Sequence, residues 1–314
     1  MSNIKLGIIG GGQLGLLLTQ SALQFPVEIY IYDPNKNCPA SHFTKHFTQG
    51  GFDDYQKIIE FGQQCDVLIF EIEKTNLEAL KELQAQGKTV ISKPDDLEWI
   101  QDKFVQRKAL AEKSLPVPAF EEVAASEVQN YSGDFPVVQK WRSGGYDGHG
   151  VNIIKTAEEL KSAKAVDSVF EEMVDIKMEI SVLIARDKEG NTAIYEPAEM
   201  IFDPVANLVD YLIAPARLSS EKLNEAKDLA KQMADKFDFY GMYAIEMFID
   251  QNDNILINEV APRTHNSGHH TVSANATSQY EQQIRIALGF PLGSTKQLSP
   301  CVLFNLLGAD ATGK

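Results

Sequence analysis

At 314 residues the chain is longer than one typical hydrophobic core requires, and a hydrophobic content of 44% can fill two or three cores, which excludes a disordered protein. Its formal net charge of −15, from 44 acidic against 29 basic residues, disfavours binding to nucleic acid or acidic lipid. The three cysteines show no CxxC spacing, which predicts reduced thiols, and the N-terminus has no signal-peptide pattern, which predicts a cytoplasmic protein. The sequence has no long apolar run, so we expect no membrane-spanning segment.

The first hundred residues alternate between strand-like and helix-like segments. The segments KLGIIG, VEIYIYD, DVLIFEIE and KTVIS are typical of buried strands, and QLGLLLTQSAL, DYQKIIEFGQQ and LEALKELQAQ are typical of helices. This alternation predicts a small parallel sheet with right-handed crossovers. We therefore expect a Rossmann-like domain over residues 1–97.

Glycines follow the first predicted strand in the GxGxxG pattern. Gly10, Gly12 and Gly15 precede a helix, and Asp33 ends the second strand, which together form a dinucleotide-binding fingerprint. The helix N-terminus could hold a phosphate group. The pattern leaves open whether the ligand is a nicotinamide or flavin cofactor, another phosphorylated molecule, or none, with the glycines serving tight packing.

A second unit begins beyond residue 97. EWIQDKFVQRKALAEK, residues 98–113, predicts a single helix that ends before Pro116 and Pro118. The strand FPVVQKW, a glycine-rich loop and the strand VNIIK follow, and Thr156 with Glu159 forms a capping box for a further helix. SVFEEMVDIKMEISVLIARD then predicts two strands with a break between them.

The third unit combines strands with two helices. TAIYEPAEMIF and DYLIAPARL predict one strand each, and apolar residues at helical spacing predict a helix from Ser220 to about Phe237. A hairpin, YAIEMFIDQNDNILINEV, precedes APRTHNSGHHT and the helix SQYEQQIRIAL, which closes near Gly289 and Pro291.

The hairpin of the third unit carries two opposed glutamates. A four-residue loop over residues 251–254 would pair Asp250 with Ile255 and place Glu246 directly opposite Glu259. Like charges at that spacing repel by roughly 3 kcal/mol at an effective dielectric constant of about 20. A hard cation between them, Mg²⁺ or alternatively Mn²⁺, would remove this repulsion. A solvated sheet face with a slipped register is the alternative, and Asn258 would point to the opposite face unless the strand bends.

Two cations, Lys140 and Arg142, stand directly before the glycine-rich segment SGGYDGHGV. Such a segment can fold over nucleotide phosphates and present N–H donors, and the ammonium group of Lys140 would add a point charge. An ordinary hairpin is the alternative. The neighbouring carboxylate pair favours the nucleotide-binding interpretation.

The chain resembles the 5-(carboxyamino)imidazole ribonucleotide synthase family of ATP-grasp enzymes. The resemblance is carried by the glycine-rich N-terminal unit, GGYDGHG after Lys140, EEMVDIKME and NEVAPRTHNSGHHT. The resemblance runs from residue 4 to about residue 310. It implies an α/β and α+β fold class, with a pre-ATP-grasp domain at residues 1–97 and a small lid subdomain at 98–178. It further implies a large subdomain at 179–314, which includes the start of a C-terminal domain that is truncated.

The resemblance also implies an activity. In this family MgATP and bicarbonate give carboxyphosphate, which carboxylates 5-aminoimidazole ribonucleotide in purine biosynthesis. The protein would be a homodimer. Another ATP-grasp carboxylate–amine ligase, a nicotinamide-dependent oxidoreductase and a non-catalytic nucleotide sensor remain alternatives.

Site residues follow from the matching motifs. The ATP-binding residues implied by the resemblance are Lys103, Lys140, Gly145, Tyr146, Asp147, Gly148, His149, Gly150, Val151, Glu171, Glu172, Met173, Val174, Glu179, Asn258 and Glu259. The implied metal ligands are Glu246 and Glu259, and the implied catalytic residues are Tyr146, Asp147, Arg263, His265 and Asn266. The implied substrate-binding residues are Gly12, Gln13, Leu14 and Glu73.

Three features depart from the family pattern. His149 stands where the family usually has Arg or Lys, which predicts a weaker or pH-dependent contact from the lid. Met200 and Phe202 stand where the family often has Asn and His, so the adenine-side contact of that histidine is in doubt. The chain also ends where relatives continue into a segment with basic residues for the substrate phosphate, which predicts weak affinity for the imidazole ribonucleotide.

Overall fold

The computed structural model describes residues 4–145, 150–202 and 209–305, which form three sheets with helices packed against them. Tyr146, Asp147, Gly148 and His149 were predicted to form part of the lid and lie outside the described residues. None of the described helices is both long enough and apolar enough to cross a membrane.

The N-terminal sheet is parallel, as the alternating pattern predicts. Its described strands are β1 (Ile4–Ile9), β2 (Val27–Asp33), β3 (His46–Gln49), β4 (Val67–Phe70) and β5 (Thr89–Ile91), in the order β3-β2-β1-β4-β5. The helices that connect them are α1 (Gln13–Ala22), α2 (Tyr55–Gln63) and α3 (Leu77–Ala85). Strand β3 was not predicted, because its four residues, HFTQ, carry no extended apolar run.

The single helix predicted over residues 98–113 is wrong, because the chain forms two helices there. α4 (Pro94–Ile100) ends before Gln101, and α5 (Lys103–Glu112) begins after Asp102. The Asp102 carboxylate accepts hydrogen bonds from the backbone N–H groups of Phe104 and Val105, which makes it the N-cap of the second helix. This cap places Lys103 at the first position of α5. The predicted domain boundary after residue 97 falls within α4 and stays a prediction.

A small antiparallel sheet follows. Its strands are β6 (Phe120–Val123), β7 (Val137–Trp141), β8 (Val151–Ile154) and β9 (Ser168–Glu172), in the order β6-β9-β7-β8. The short helix α6 (Ala157–Leu160) begins at the predicted capping box, where the Thr156 hydroxyl accepts a hydrogen bond from the N–H of Glu159. The Glu159 carboxylate accepts in return from the N–H of Lys155.

A larger sheet forms the rest of the described chain. Its strands are β10 (Ile176–Arg186), β11 (Thr192–Ile194), β12 (Ala198–Phe202), β13 (Val209–Ala214), β14 (Gly241–Asp250), β15 (Ile255–Ala261) and β16 (Cys301–Phe304). The order is β15-β14-β10-β12-β13-β16, with β11 paired to β10. The single strand predicted for TAIYEPAEMIF is therefore wrong: it is divided into β11 and β12 before and after Pro197, which has no N–H to donate to a sheet. The boundary predicted after residue 178 falls within β10.

The remaining helices cover this sheet. They are α7 (Ser220–Phe237), α8 (Thr271–Ala274) and α9 (Gln279–Ala287), and short 3₁₀ turns occupy Pro39–Phe43, Val128–Asn130 and Asn266–Gly268. α7 has the predicted bounds: the Ser219 hydroxyl caps its first turn and Asp238 ends it in the left-handed conformation. α7 buries its apolar face in one core with β10 and β14. A second core joins α1 and α9 to the N-terminal sheet and to the same two strands, so the N-terminal domain packs against the large sheet.

The hairpin of β14 and β15 has the predicted opposition of glutamates, but the predicted loop is wrong. Ile249, rather than Asp250, pairs with Ile255, and Asp250, the last residue of β14, accepts hydrogen bonds in the turn through its carboxylate from the N–H groups of Asn252 and Asn254. A β-bulge between the pairs Met247–Ile257 and Glu246–Glu259 then adds one residue, Asn258, and restores the register.

Candidate active site

Two adjoining cavities meet at the opposed glutamates. The first, of about 310 Å³, lies between the small sheet and the β14–β15 hairpin, and the second, of about 230 Å³, faces Arg263 and the segment after β15. Both cavities are lined by Gly145, Phe202, Glu246 and Glu259. A reacting group could therefore pass from one cavity to the other at the carboxylate pair.

Glu246 and Glu259 are directly opposed in the register of the hairpin. The Glu246 side chain is 18% exposed and that of Glu259 is 39% exposed, because both face the cleft. Burial, together with Glu259 and Glu179, raises the pKa of Glu246. The pKa of Glu259 is held below its ordinary value by the contacting Lys103 ammonium, against the effect of burial.

These carboxylates suit a magnesium ion. Two oxygen-bearing ligands leave coordination positions for phosphate oxygens and water, as Mg²⁺ prefers. No three His, Cys, Asp or Glu side chains of the described chain converge as a complete metal cage. The donors therefore fit a metal that arrives with a nucleotide.

Lys140 lies at the wall of the first cavity in a dense set of charges. Its ammonium group is 2.9 Å from Glu171 Oε2 and donates to Asn258 Oδ1 over 2.8 Å. Burial lowers the pKa of Lys140, although Glu171 opposes the shift. The bulge thus turns Asn258 toward this cavity, where an ideal strand would have turned it away.

Lys103 enters the same cavity from the start of α5, where the Asp102 cap fixes its backbone. Arg142 holds this cap by donating to Asp102 from Nε over 3.0 Å and from Nη2 over 2.6 Å. The cation at position 142 therefore supports the helix that carries Lys103, while Lys140 faces the cleft directly.

The ATP-binding residues predicted at positions 171–174 lie along the first cavity. Glu172, Met173 and Val174 line it at the end of β9, and Glu172 and Met173 are exposed. Glu171, in contrast, is only 3% exposed and its carboxylate is bound by Arg107 and Lys140. These two cations lower the pKa of Glu171 although burial alone would raise it. The Glu171 carboxylate is therefore buried and already paired with two cations.

Glu179 lines the deeper part of the first cavity on β10. Burial raises its pKa to about 7, with Lys140 opposing the shift. Gly145, Gly150 and Val151 line the same cavity from the glycine-rich segment. The structure therefore brings these four predicted ATP-site residues together.

The second cavity collects the polar residues after β15. Arg263, His265 and Asn266 line it, as does Glu73. Arg263 Nε is 3.1 Å from Glu73 Oε1, but its N–H is not aimed at that oxygen, so the contact is ionic rather than a hydrogen bond. The guanidinium is thus held at the cavity wall by charge.

His265 is a neutral imidazole in this cavity. Burial, with the nearby Arg263 charge, lowers its pKa to about 3. Its Nδ1 lies 2.9 Å from the Ser267 hydroxyl, and its Nε2 lies 3.8 Å from Glu246 Oε1. Because the ring is neutral, the latter contact is not an ion pair, and Nε2 lies near the Glu246 carboxylate.

The glycine-rich turn after β1 is held by two carboxylates. Asp33 accepts a hydrogen bond from the N–H of Gly11 over 2.8 Å, and Glu71 accepts from the N–H of Gly12 over 3.2 Å. A dinucleotide pyrophosphate would need such donors, and a ribose would need Asp33. The N–H groups of Gly11 and Gly12 already donate to the Asp33 and Glu71 carboxylates, which disfavours the oxidoreductase alternative. Gln13 is exposed at the start of α1 and Leu14 is buried, while Gly12 is half-buried.

Glu71 and Arg107 were not predicted as site residues. Glu71 follows β4 directly and is 8% exposed beside Gly10 and Gly12, whereas the predicted Glu73 lies two residues further along and contacts Arg263. Burial raises the pKa of Glu71, with Arg263 opposing the shift. The acidic spacing in FEIE was the available signal, since alternate residues share one side of an extended chain.

The departures at Met200 and Phe202 give the second cavity an apolar side. Met200 is 4% exposed, and Leu212 and Leu303 lie beside it. Phe202 lines both cavities. An aromatic surface therefore stands at position 202, where the resemblance implies a histidine.

A third cavity, of about 410 Å³, lies away from these residues, between β5 and the end of β10. Its basic side chains Lys93 and Arg186 form ion pairs with Asp238. The opposed carboxylates, the cation cluster and the glycine-rich segment belong to the two joined cavities instead.

Family models match nearly the whole described chain. A ribonucleotide synthetase preATP-grasp domain matches residues 3–101, and an ATP-grasp domain matches residues 108–280. The chain is 33% identical to the chloroplastic phosphoribosylaminoimidazole carboxylase of Vigna aconitifolia, over 98% of this chain and 56% of that protein. It therefore spans about half the length of that relative.

Solved structures agree with these matches. The N5-carboxyaminoimidazole ribonucleotide synthetase of Thermotoga maritima is 38% identical with a TM-score of 0.88, and the match covers 98% of this chain and 82% of that one. The Aspergillus clavatus N5-carboxyaminoimidazole synthase, in complex with ADP and 5-aminoimidazole ribonucleotide, is 27% identical with a TM-score of 0.90, over 98% and 83% of the two chains. The predicted fold class is confirmed, and the chain belongs to the N5-carboxyaminoimidazole ribonucleotide synthase family of ATP-grasp proteins.

Proposed function

We propose that the chain is an ATP-dependent carbon–nitrogen ligase that carboxylates 5-aminoimidazole ribonucleotide with bicarbonate. The observation that carries this proposal is the junction of the two cavities at Glu246 and Glu259. One cavity has the cations and glycines that suit a triphosphate, and the other has an arginine and a neutral histidine that suit a small oxyanion. The related Aspergillus clavatus structure contains ADP and 5-aminoimidazole ribonucleotide, which supports this pair of ligands.

In the first step, Lys103 and Lys140 hold the triphosphate while Arg263 orients bicarbonate with its planar donors. A bicarbonate oxygen forms a bond to the γ-phosphorus as the bond to ADP breaks, which gives carboxyphosphate. Mg²⁺ held by Glu246 and Glu259 would neutralise charge on the phosphate oxygens. The chemistry then requires little beyond positioning and charge stabilisation, which these residues supply.

In the second step, the exocyclic amine of the ribonucleotide attacks the carboxyl carbon. A carbon–nitrogen bond forms as the carbon–oxygen bond to phosphate breaks, and the departing phosphate takes up the proton that the amine loses. Glu73 lines the second cavity and would orient the nucleotide together with the glycine turn at Gly12, Gln13 and Leu14. His265 can accept a hydrogen bond because it is neutral.

The lid residues Tyr146, Asp147, Gly148 and His149 complete the proposal by analogy with the family motif. Tyr146 and Asp147 would face the reacting carboxyl group, and Asn266 would contact carboxyphosphate. We further propose a homodimer, which multi-angle light scattering would detect as twice the chain mass of 34.9 kDa.

An ADP-release assay tests the function. Turnover should require 5-aminoimidazole ribonucleotide and Mg²⁺, and it should fall when bicarbonate is removed with degassed buffer. Carbon-13 bicarbonate should produce a carbamate signal in the product by NMR. If glycinamide ribonucleotide with formate gave the larger rate, the alternative ligase would replace this proposal.

A further inference from the structure

We infer that Arg107 is a positioning residue of the nucleotide cleft, which holds β9, the strand of Glu171, and β15, the strand of Glu259, in one fixed arrangement. This inference rests on the proposed function. Arg107 is 3% exposed on α5 and does not line either cavity. A buried arginine needs partners for its N–H groups, and those it has come from two different strands of the site.

The first partner is the carboxylate of Glu171 on β9. Arg107 donates to Glu171 Oε1 from Nε over 2.9 Å and from Nη2 over 2.7 Å. The other oxygen, Oε2, is 2.9 Å from the Lys140 ammonium group. Glu171 therefore stands between two cations, and the position of Lys140 depends on a carboxylate that Arg107 holds.

The second set of partners is the backbone of the bulge in β15. Arg107 Nη1 donates to the carbonyl of Ile257 and Nη2 to the carbonyl of Asn258, each over 2.8 Å. A bulge leaves backbone N–H and carbonyl groups without a partner on the neighbouring strand, and β15 is also the edge strand of its sheet. The guanidinium supplies donors at the point where the strand lacks them. The bulge in turn sets Glu259 opposite Glu246.

The contacts close into a ring. Arg107 binds Glu171, Glu171 binds Lys140, Lys140 donates to the Asn258 side chain, and the Asn258 carbonyl accepts from Arg107. Four elements, α5, β9, β7 and β15, each contribute one member. The neighbouring Gln106 strengthens the link, because its side chain exchanges hydrogen bonds with both the N–H and the carbonyl of Val260.

Lysine could not replace this arginine. The planar fork of a guanidinium donates in several fixed directions at once, whereas an ammonium group is a single point on a flexible stem. A lysine at position 107 would keep the charge beside Glu171 but could not also reach both carbonyls. The bulge and Lys140 would then lose their common support.

The test compares Arg107→Lys with a matched control, Arg186→Lys. Arg186 also bridges a carboxylate, Asp238, and a backbone carbonyl, that of Phe239, but it lies beside the 410 Å³ cavity and not at the cleft. For each variant we would measure the melting temperature, kcat, the KM values for ATP and for 5-aminoimidazole ribonucleotide, and the Mg²⁺ concentration for half-maximal rate. Calorimetric titration with a non-hydrolysable ATP analogue and Mg²⁺ gives affinities that do not depend on turnover.

We expect Arg107→Lys to raise the KM for ATP and the Mg²⁺ requirement at least tenfold, with the KM for the ribonucleotide changed less than twofold. Arg186→Lys should leave all of these within twofold. If Arg107→Lys lowers only the melting temperature, as the control does, and keeps ATP-analogue affinity and the Mg²⁺ requirement within twofold, Arg107 is a packing residue and the inference is wrong.

A second variant keeps the inference testable if Arg107→Lys does not fold. Glu171→Gln opens the ring beside Lys140 but leaves the two backbone contacts of Arg107 in place. It should weaken ATP-analogue binding at least fivefold while the Mg²⁺ requirement stays within twofold. Unchanged analogue binding would overturn the ring. Because binding is measured without turnover, these results stand apart from a failure of the proposed carboxylation.

Discussion

Replacing Glu246 by Gln removes one charge from the opposed carboxylate pair without a large change in volume. The register sets Glu246 across from Glu259, and directly opposed residues have Cβ atoms about 5 Å apart. Two unit charges at about 5 Å and an effective dielectric constant of about 20 repel by about 3 kcal/mol. The exposure of Glu259, 39% of its side chain, lets water screen the pair, so we expect a gain of about 1–2 kcal/mol in metal-free stability.

This gain should depend on pH. The raised pKa of Glu246 means that the folded chain retains a proton that the unfolded chain has already released above its ordinary value of 4.5. The wild-type protein therefore loses stability from this group as the pH rises above about 5, whereas the Gln variant does not. The difference between the two should be smallest at pH 5 and largest at pH 9.

Activity should change in the opposite direction. Gln offers a neutral oxygen in place of a carboxylate, so the variant should bind Mg²⁺ weakly and lose at least about 100-fold in turnover, which corresponds to about 3 kcal/mol. Urea unfolding in EDTA at pH 5, 7 and 9 measures stability, and ADP release against Mg²⁺ concentration measures activity. The exposed Glu189→Gln controls for the loss of one acidic group. A Glu246→Gln protein that is less stable at pH 9, or that turns over normally at limiting Mg²⁺, would refute the reasoning.

Three further predictions concern other parts of the chain. Asp33→Ala removes the acceptor for the Gly11 N–H and should raise the KM for 5-aminoimidazole ribonucleotide at least fivefold while leaving the KM for ATP within twofold; equal changes in both would contradict a local role of the turn. Asp96 is buried and its pKa is raised to about 6, so its contribution to the unfolding free energy falls as the pH rises from about 4 to about 6. Asp96→Asn should reduce this decline by about 2–3 kcal/mol, as measured by urea unfolding. The variant of its exposed neighbour, Asp95→Asn, should not change the decline. Met233→Ala empties a fully buried position on α7 and should lower the unfolding free energy by about 2–5 kcal/mol without changing either KM, whereas a loss under 1 kcal/mol would mean that the core repacks.

The architecture could be predicted from the sequence wherever local patterns decide it. Alternating strands and helices, the Ser219 cap and the helical spacing of α7 are all short-range signals. The hairpin shows the limit of such signals. The predicted loop was one residue too short and the bulge was not predicted, and these two errors cancel at Glu246 and Glu259. Turn geometry depends on the Asp250 side chain, which a count of residues does not describe.

The role of Arg107 could not be predicted from its surroundings in the chain. In QDKFVQRKAL an arginine on an amphipathic helix is usually solvated, and its partners here lie 64, 150 and 151 residues further along the chain. Only the packing of α5 against β9 and β15 brings them together. Glu71 and Glu73 show a different limit, because alternate residues of an extended chain would share one side. The chain bends after β4, and only the fold shows that Glu71 accepts from the glycine turn while Glu73 contacts Arg263.

The net charge of −15 and the proposed binding of a triphosphate can be reconciled by the distribution of charge in the cleft. Lys103 and Lys140 line the first cavity and Arg107 is buried beside Glu171, but Glu171 and Glu259 already offset most of their charge. A triphosphate that entered alone would therefore meet little net attraction from a strongly acidic protein. On the proposed function, the cations would fix where the phosphates lie, and the additional positive charge would come with the nucleotide as its divalent metal. We therefore expect the cleft to bind a metal–nucleotide complex in preference to the free nucleotide, because Lys103 and Lys140 are already paired with carboxylates.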